Sequence, residues 1–176
     1  MLPLKIAVLG SGKGSNFRAI LNAAMAGQLK IQPVLAISDN PDAGLLNLAE
    51  NLGVTTRVIH EPKFRTRLSE EVEAELVEAI RASGAELIVL AGWMRMVKTQ
   101  MLEAFPRRIV NIHPSLLPAF PGLEAWRQAL EARVEKTGCT VHFVDGGMDT
   151  GEIIAQNEVP VLPGDTPETL HARIQE

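Results

Sequence analysis

Asn111 and His113 stand two residues apart in RIVNIHPSLLPAFPG, and Asp149 lies downstream in VDGGMDTGEII. These residue types suit oxyanion and proton-transfer chemistry. An Asn amide can donate to a developing oxyanion, and a His can carry a proton near neutral pH. Successive strand side chains point to opposite faces, so Asn111 and His113 share a face while Ile112 turns away. A strand end whose polar groups merely satisfy loop carbonyls would look the same, and parity alone does not separate the two readings. Pro114, Pro118 and Pro121 follow, and a stiff loop favours fixed side chains. Asp149 sits in a Gly-rich turn, where an aspartate ordinarily caps its own backbone. Beside His113, its carboxylate would instead favour the imidazolium and raise the histidine pKa.

A second cluster is GSGKGSN, Gly10 to Asn16. Glycines allow close approach of backbone N–H groups to a ligand, and the following helix offers its positive end. A phosphomonoester is one guest, with Lys13 adding charge. A dinucleotide is another, although Ser15 stands where G-x-G-x-x-G needs its third glycine. Asp39 could then play the ribose-binding acid. A purely structural turn is the third reading. Trp93, Met94, Met96 and Val97 could wall an aromatic ligand or pack into the core. His142 reads as a packed strand histidine near the site, His60 and His171 as surface groups, and Cys139 as a small hydrophobe.

These groups must be held by elements that the apolar pattern outlines. Leu4–Leu9, Gln32–Ile37, Val54–Ile59, Leu87–Ala91 and Ile109–Ile112 read as strands. Helical composition spans Asn16–Ala26, Leu45–Leu52, Thr66–Ala82 and Lys98–Phe105. In Thr66–Ala82, Leu68, Val72, Leu76 and Ile80 form an apolar stripe and glutamates the other face. The alternation fits βαβ crossovers and an α/β, Rossmann-like, mostly parallel sheet flanked by helices. CTVHFVD and EIIAQNEVPV, with no helix between them, read as a C-terminal antiparallel hairpin. Ligands of open α/β sheets bind at the carboxyl ends of the strands, where all four polar clusters fall.

The 176 residues read as one domain, 1–176. The net charge of −4, without like-charge blocks, argues against broad docking on nucleic acid or membrane. The single cysteine fits a reducing compartment, and with no signal-like or membrane-length segment the expected location is cytoplasmic. No metal-ligand spacing is present. TPETLHARIQE opens a helix without a C-cap, so the natural chain is expected to continue past Glu176.

GKGSN, LAGWMRMV, NIHPSLLPAFPG and TVHFVDGGMDTGEII, in that order, resemble the glycinamide ribonucleotide formyltransferases of the folate-dependent formyltransferase family. The resemblance runs over essentially the whole chain. It implies formyl transfer from 10-formyltetrahydrofolate to the amine of glycinamide ribonucleotide, without a metal, in a monomer or homodimer. Gly14, Ser15 and Asn16 match the substrate-phosphate loop. Arg67 and Met94, Arg95, Met96 and Val97 match the folate side, which Asn111 also touches. Asn111 and His113 match the catalytic pair, and Asp149 the carboxylate that tunes the histidine. The family's last helix carries a Gln-Glu-His segment, and this chain ends at RIQE, just short of it. Related hydrolases share the Asn–His–Asp set, and a dinucleotide-binding module remains the non-enzymatic alternative.

Overall fold

The computed structural model describes residues 2–175. The chain divides into two compact units, Met1–Val110 and Asn111–Glu176. The first holds β1 (Leu4–Leu9), α1 (Ser15–Met25), β2 (Ile31–Ser38), α2 (Gly44–Glu50) and β3 (Thr55–Val58). It continues with α3 (Glu70–Ser83), β4 (Leu87–Leu90), α4 (Thr99–Ala104) and the start of β5 (Ile109–His113). The second holds the end of β5, then α5 (Ala125–Glu131), β6 (Lys136–Phe143), β7 (Ile153–Pro160) and α6 (Pro167–Gln175).

In the first unit the strand order is β3-β2-β1-β4-β5. β1 pairs in parallel with β2 and β4, and β2 with β3. This is the α/β Rossmann-like sheet that the alternation predicts. Ile6 to Leu9 are all buried, as are Leu35 to Ile37 and Ile88 to Leu90. Continuous apolar runs of this kind belong to strands covered on both faces. Phe17, Leu45, Ala49, Leu76 and Ile80 supply the buried helix faces. In the second unit β6 and β7 pair antiparallel, from Lys136↔Pro160 to His142↔Ile153.

The observed elements depart from the expected ones at a few points, each with a cause. The helix expected from Thr66 begins at Glu70, because Ser69 is its extended N-cap residue and three glutamates favour the first turn. Leu68 is buried, but from the preceding loop. Glu73 lies off the solvated face: it is buried and its carboxylate accepts Lys98 N at 2.9 Å, at the start of α4. β6 starts at Lys136, three residues before the expected run, where Lys136 pairs with Glu158 across the hairpin at 2.8 Å. Helix α5 was not expected. Its signal was the run of good helix formers in AWRQALE, with Ala125 and Ala129 four apart and fully buried.

Candidate active site

The second unit opens on the end of β5 with Asn111 and His113, and the β6–β7 turn brings Asp149 to both. Asp149 adopts φ 54, a left-handed conformation that Asp tolerates better than most residues. One carboxylate oxygen, Oδ2, lies 3.3 Å from His113 Nδ1 and accepts Gly122 N at 2.8 Å. The other, Oδ1, accepts from Asn111 Nδ2 at 3.5 Å and lies 3.6 Å from His142 Nε2. The turn aspartate thus bonds outward to the Asn–His pair, while Asp145 accepts Gly147 N and Thr150 Oγ1 within the turn.

His113 is buried, and its Nε2 faces the Phe120 carbonyl at 2.9 Å. Both ring nitrogens therefore face oxygen atoms. His142 is also buried, with Nδ1 2.8 Å from the Phe143 carbonyl and Nε2 3.2 Å from Asn111 Nδ2. Nδ1 must carry a hydrogen, so in the neutral ring Nε2 accepts from the Asn111 amide. Burial opposes a charge on His142, but Asp149 and the Phe143 carbonyl outweigh it, and its pKa is raised. Burial likewise opposes ionisation of Asp149, yet the two histidines and Gly122 N hold its pKa below the usual value.

The proline-rich segment after β5 is anchored by one hydroxyl. Thr140 Oγ1 donates to Ser115 O at 2.6 Å and accepts from Leu117 N at 3.0 Å and Gln156 Nε2 at 2.9 Å. That uses its single donor and both acceptor sites. Gln156 Nε2 also reaches Leu117 O at 2.9 Å, and Ser115 Oγ closes the segment onto Ala119 O at 2.6 Å. The stiffness expected from prolines is thus reinforced by β6 and β7.

In the first unit, the glycine loop is walled by backbone. A Cβ on Gly10 would stand 2.6 Å from Ala91 O, and Gly14 has φ +81 with Leu45 Cα 3.0 Å from where its Cβ would be. Gly14 precedes α1 with no side-chain cap, leaving the first-turn N–H groups to other partners. Ser15 is exposed and Asn16 half-buried. Ser11 ties this loop to the segment after β4: its N donates to Gly92 O at 3.0 Å and its Oγ accepts Met94 N at 3.1 Å. Met94 and Met96 are 56% and 47% exposed, so these two wall a surface and are not core. Arg67 is exposed, with its guanidinium 3.9 Å over the Phe64 ring. Asp39 is engaged by Arg95 Nε at 2.7 Å, which displaces the ribose-acid reading of that carboxylate.

The formyl transferase family profile matches residues 4–176. The chain belongs to the formyl transferase family. Its sequence is 41% identical over 170 residues to phosphoribosylglycinamide formyltransferase of Bacillus subtilis, covering 97% of this chain and 86% of that one. It is 44% identical over 172 residues to the trifunctional purine biosynthetic protein adenosine-3 of Drosophila melanogaster. There it spans 97% of this chain but 13% of the relative. Glycinamide ribonucleotide transformylase 1 of Symbiobacterium toebii superposes with a TM-score of 0.91 at 48% identity, covering 98% of this chain and 81% of that one.

In this formyl transferase chain Asn111, His113 and Asp149, the three residues whose types suit proton transfer and oxyanion chemistry, meet within the second unit. Gly14 to Asn16, Arg67 and Met94 to Val97 lie in loops of the first. His142, read as a packed strand histidine near the site, joins the cluster itself through Asn111 and Asp149. Thr140 and Gln156 had no sequence signal, since each acts through partners distant in the chain. His171 is half-buried and stacked on Trp126 at 3.7 Å, whereas His60 is exposed. Among the described residues, no group of three or more His, Cys, Asp or Glu side chains is arranged to hold a metal ion.

Proposed function

We propose that this chain transfers the formyl group of 10-formyltetrahydrofolate to the amine of glycinamide ribonucleotide. The amine nitrogen attacks the formyl carbon, and a tetrahedral oxyanion forms. The Asn111 amide and protonated His113 donate to that oxyanion, which takes the His113 Nε2–H from the Phe120 carbonyl and one Asn111 N–H from its present acceptor, and Asp149 keeps the imidazole charged. The bond from carbon to the folate nitrogen then breaks. The departing nitrogen takes a proton from His113, directly or through a relayed water, and the proton given up by the attacking amine restores the His113 imidazolium. No metal is required, because the formyl group on folate is already activated. Gly14, Ser15 and Asn16 take the substrate phosphate. Arg67, Met94, Arg95, Met96, Val97 and Asn111 take the folate. The proposed partners are these small molecules, in a monomer or homodimer.

The observation that carries this reading is the Asp149 carboxylate, whose two oxygens reach His113 and Asn111 separately. That is the set an acyl transfer needs: one oxyanion donor, one acid and one group to orient both. Family membership supports the formyl group as the acyl group. The test incubates the protein with a formylfolate, with and without glycinamide ribonucleotide, and follows folate absorbance. Release only with the ribonucleotide is expected. Release without any acceptor would make the chain a hydrolase, and no release would leave it a binding module.

A further inference from the structure

The loop between β3 and α3 carries Arg67 and is held by two separate ties. One is internal. Glu61 is buried; its Oε1 accepts Lys63 N at 2.7 Å and Phe64 N at 3.3 Å, and its Oε2 accepts Ser69 N at 2.5 Å. The other comes from the segment after β4. Arg95 Nη1 donates to the Phe64 carbonyl and, at 3.5 Å, to the Arg67 carbonyl. Beside it, Met96 N donates to Thr66 O at 2.8 Å, and Arg67 and Met96 pair as an isolated parallel bridge.

The Arg95 side chain is only 12% exposed, and its Nε is taken by Asp39 Oδ2 at 2.7 Å, at the end of β2. Asp39 Oδ1 is buried and has no hydrogen-bond partner in the protein. A nearly buried carboxylate with one oxygen unengaged depends on its cation, because losing either charge leaves the other uncompensated. The guanidinium is thus committed on two edges, one to Asp39 and one to the loop carbonyls. A lysine ammonium is a single point charge and cannot span both.

We propose that Arg95, oriented by Asp39, is a positioning residue: it sets the Arg67 loop for the folate co-substrate and does not grip that co-substrate with its own side chain. This rests on the reading of Arg67 as a folate contact. The Asp39–Arg95 pair then determines co-substrate affinity through backbone carbonyls rather than through charge facing the ligand.

The test compares Arg95→Lys, Asp39→Asn, Arg67→Ala and the Arg95→Lys/Arg67→Ala double variant. Two readouts are taken: steady-state kinetics with each substrate varied, and hydrogen exchange at the amides of Phe64, Ser69 and Met96. Arg95→Lys should raise KM for the formylfolate about tenfold, with kcat and the ribonucleotide KM within about twofold, a split that general loss of structure would not produce. Exchange at the loop amides should quicken, and Asp39→Asn should act in the same direction. In the double variant, KM should be no higher than in Arg67→Ala alone, since effects that run through one residue do not add. Unchanged loop exchange in Arg95→Lys overturns the proposal, as do KM effects that add in the double variant. An Arg67→Ala enzyme with unchanged KM overturns the affinity half together with the folate assignment, and the exchange data still decide whether Arg95 positions the loop. If Arg95→Lys does not fold, Asp39→Asn carries both readouts and the same double-variant comparison.

Discussion

Asp149 gives His113 one of its oxygens and Asn111 the other, and that division argues for separable residue effects. Removing one oxyanion donor commonly costs about 2.7–4 kcal/mol of transition-state stabilisation. Asn111→Ala should therefore slow turnover by about a hundredfold or more with a modest loss of folate binding; wild-type turnover in that variant would remove Asn111 from the mechanism. His142 supplies a second expectation. Its pKa is raised above the usual 6.5, so it stays charged to higher pH in the folded state than in the unfolded chain. Its stabilising effect is complete below the unfolded value and fades as pH rises through the folded one. The His142 ring proton signals should titrate with a midpoint above 6.5 in NMR, and the stability difference between wild type and His142→Asn should shrink at alkaline pH. A midpoint below the usual value would mean that burial outweighs Asp149. The residue types and the parity of Asn111 and His113 were legible in the sequence. The involvement of His142 was not, because a strand histidine facing a site and one facing the core share the same alternation.

At the scale of elements, two loops depend on single buried side chains. Thr140→Val removes the hydroxyl that serves Ser115, Leu117 and Gln156, and leaves Leu117 N without its acceptor. Leaving a buried donor unsatisfied costs about 1–3 kcal/mol, so the denaturation midpoint should fall and exchange at Leu117 N should accelerate. No change would show that the proline-rich segment holds its shape without β6. Glu61 plays the matching part before α3. The backbone N–H of Ser69, with those of Lys63 and Phe64, holds its pKa down at about 2 from the usual 4.5. A depressed carboxylate stabilises the folded state above the unfolded pKa, and that contribution is lost as pH falls through the folded one. Acid denaturation curves of Glu61→Gln should therefore be flatter than wild type between pH 4.5 and about 2. Neither loop was outlined by periodicity, since each is irregular backbone ordered by a side chain elsewhere in the chain.

At the scale of the whole molecule, each unit has its own buried apolar set. Phe17 is fully buried in the first, and Leu170 and Ile174 are buried in the second. Phe17→Ala should cost about 3–5 kcal/mol, as large-to-small core truncations do, and scanning calorimetry should show the loss. A shift below one kcal/mol would mean that α1 can repack. No described helix is long and apolar enough to cross a membrane. The parts that the sequence determined by itself are those set by local chemistry. β1 falls on the expected residues because an apolar run and a glycine turn bound it. The parallel order follows from alternating strands and helices, and one face of β5 had to carry both Asn111 and His113. Tertiary structure alone decided which distant groups meet them. Asp149 reaches Asn111 across 38 positions and Asp39 reaches Arg95 across 56. Periodicity describes the face on which a side chain stands. What it meets there is set by crossovers and turns that bring remote segments together, and those directions are written in no single stretch of the chain.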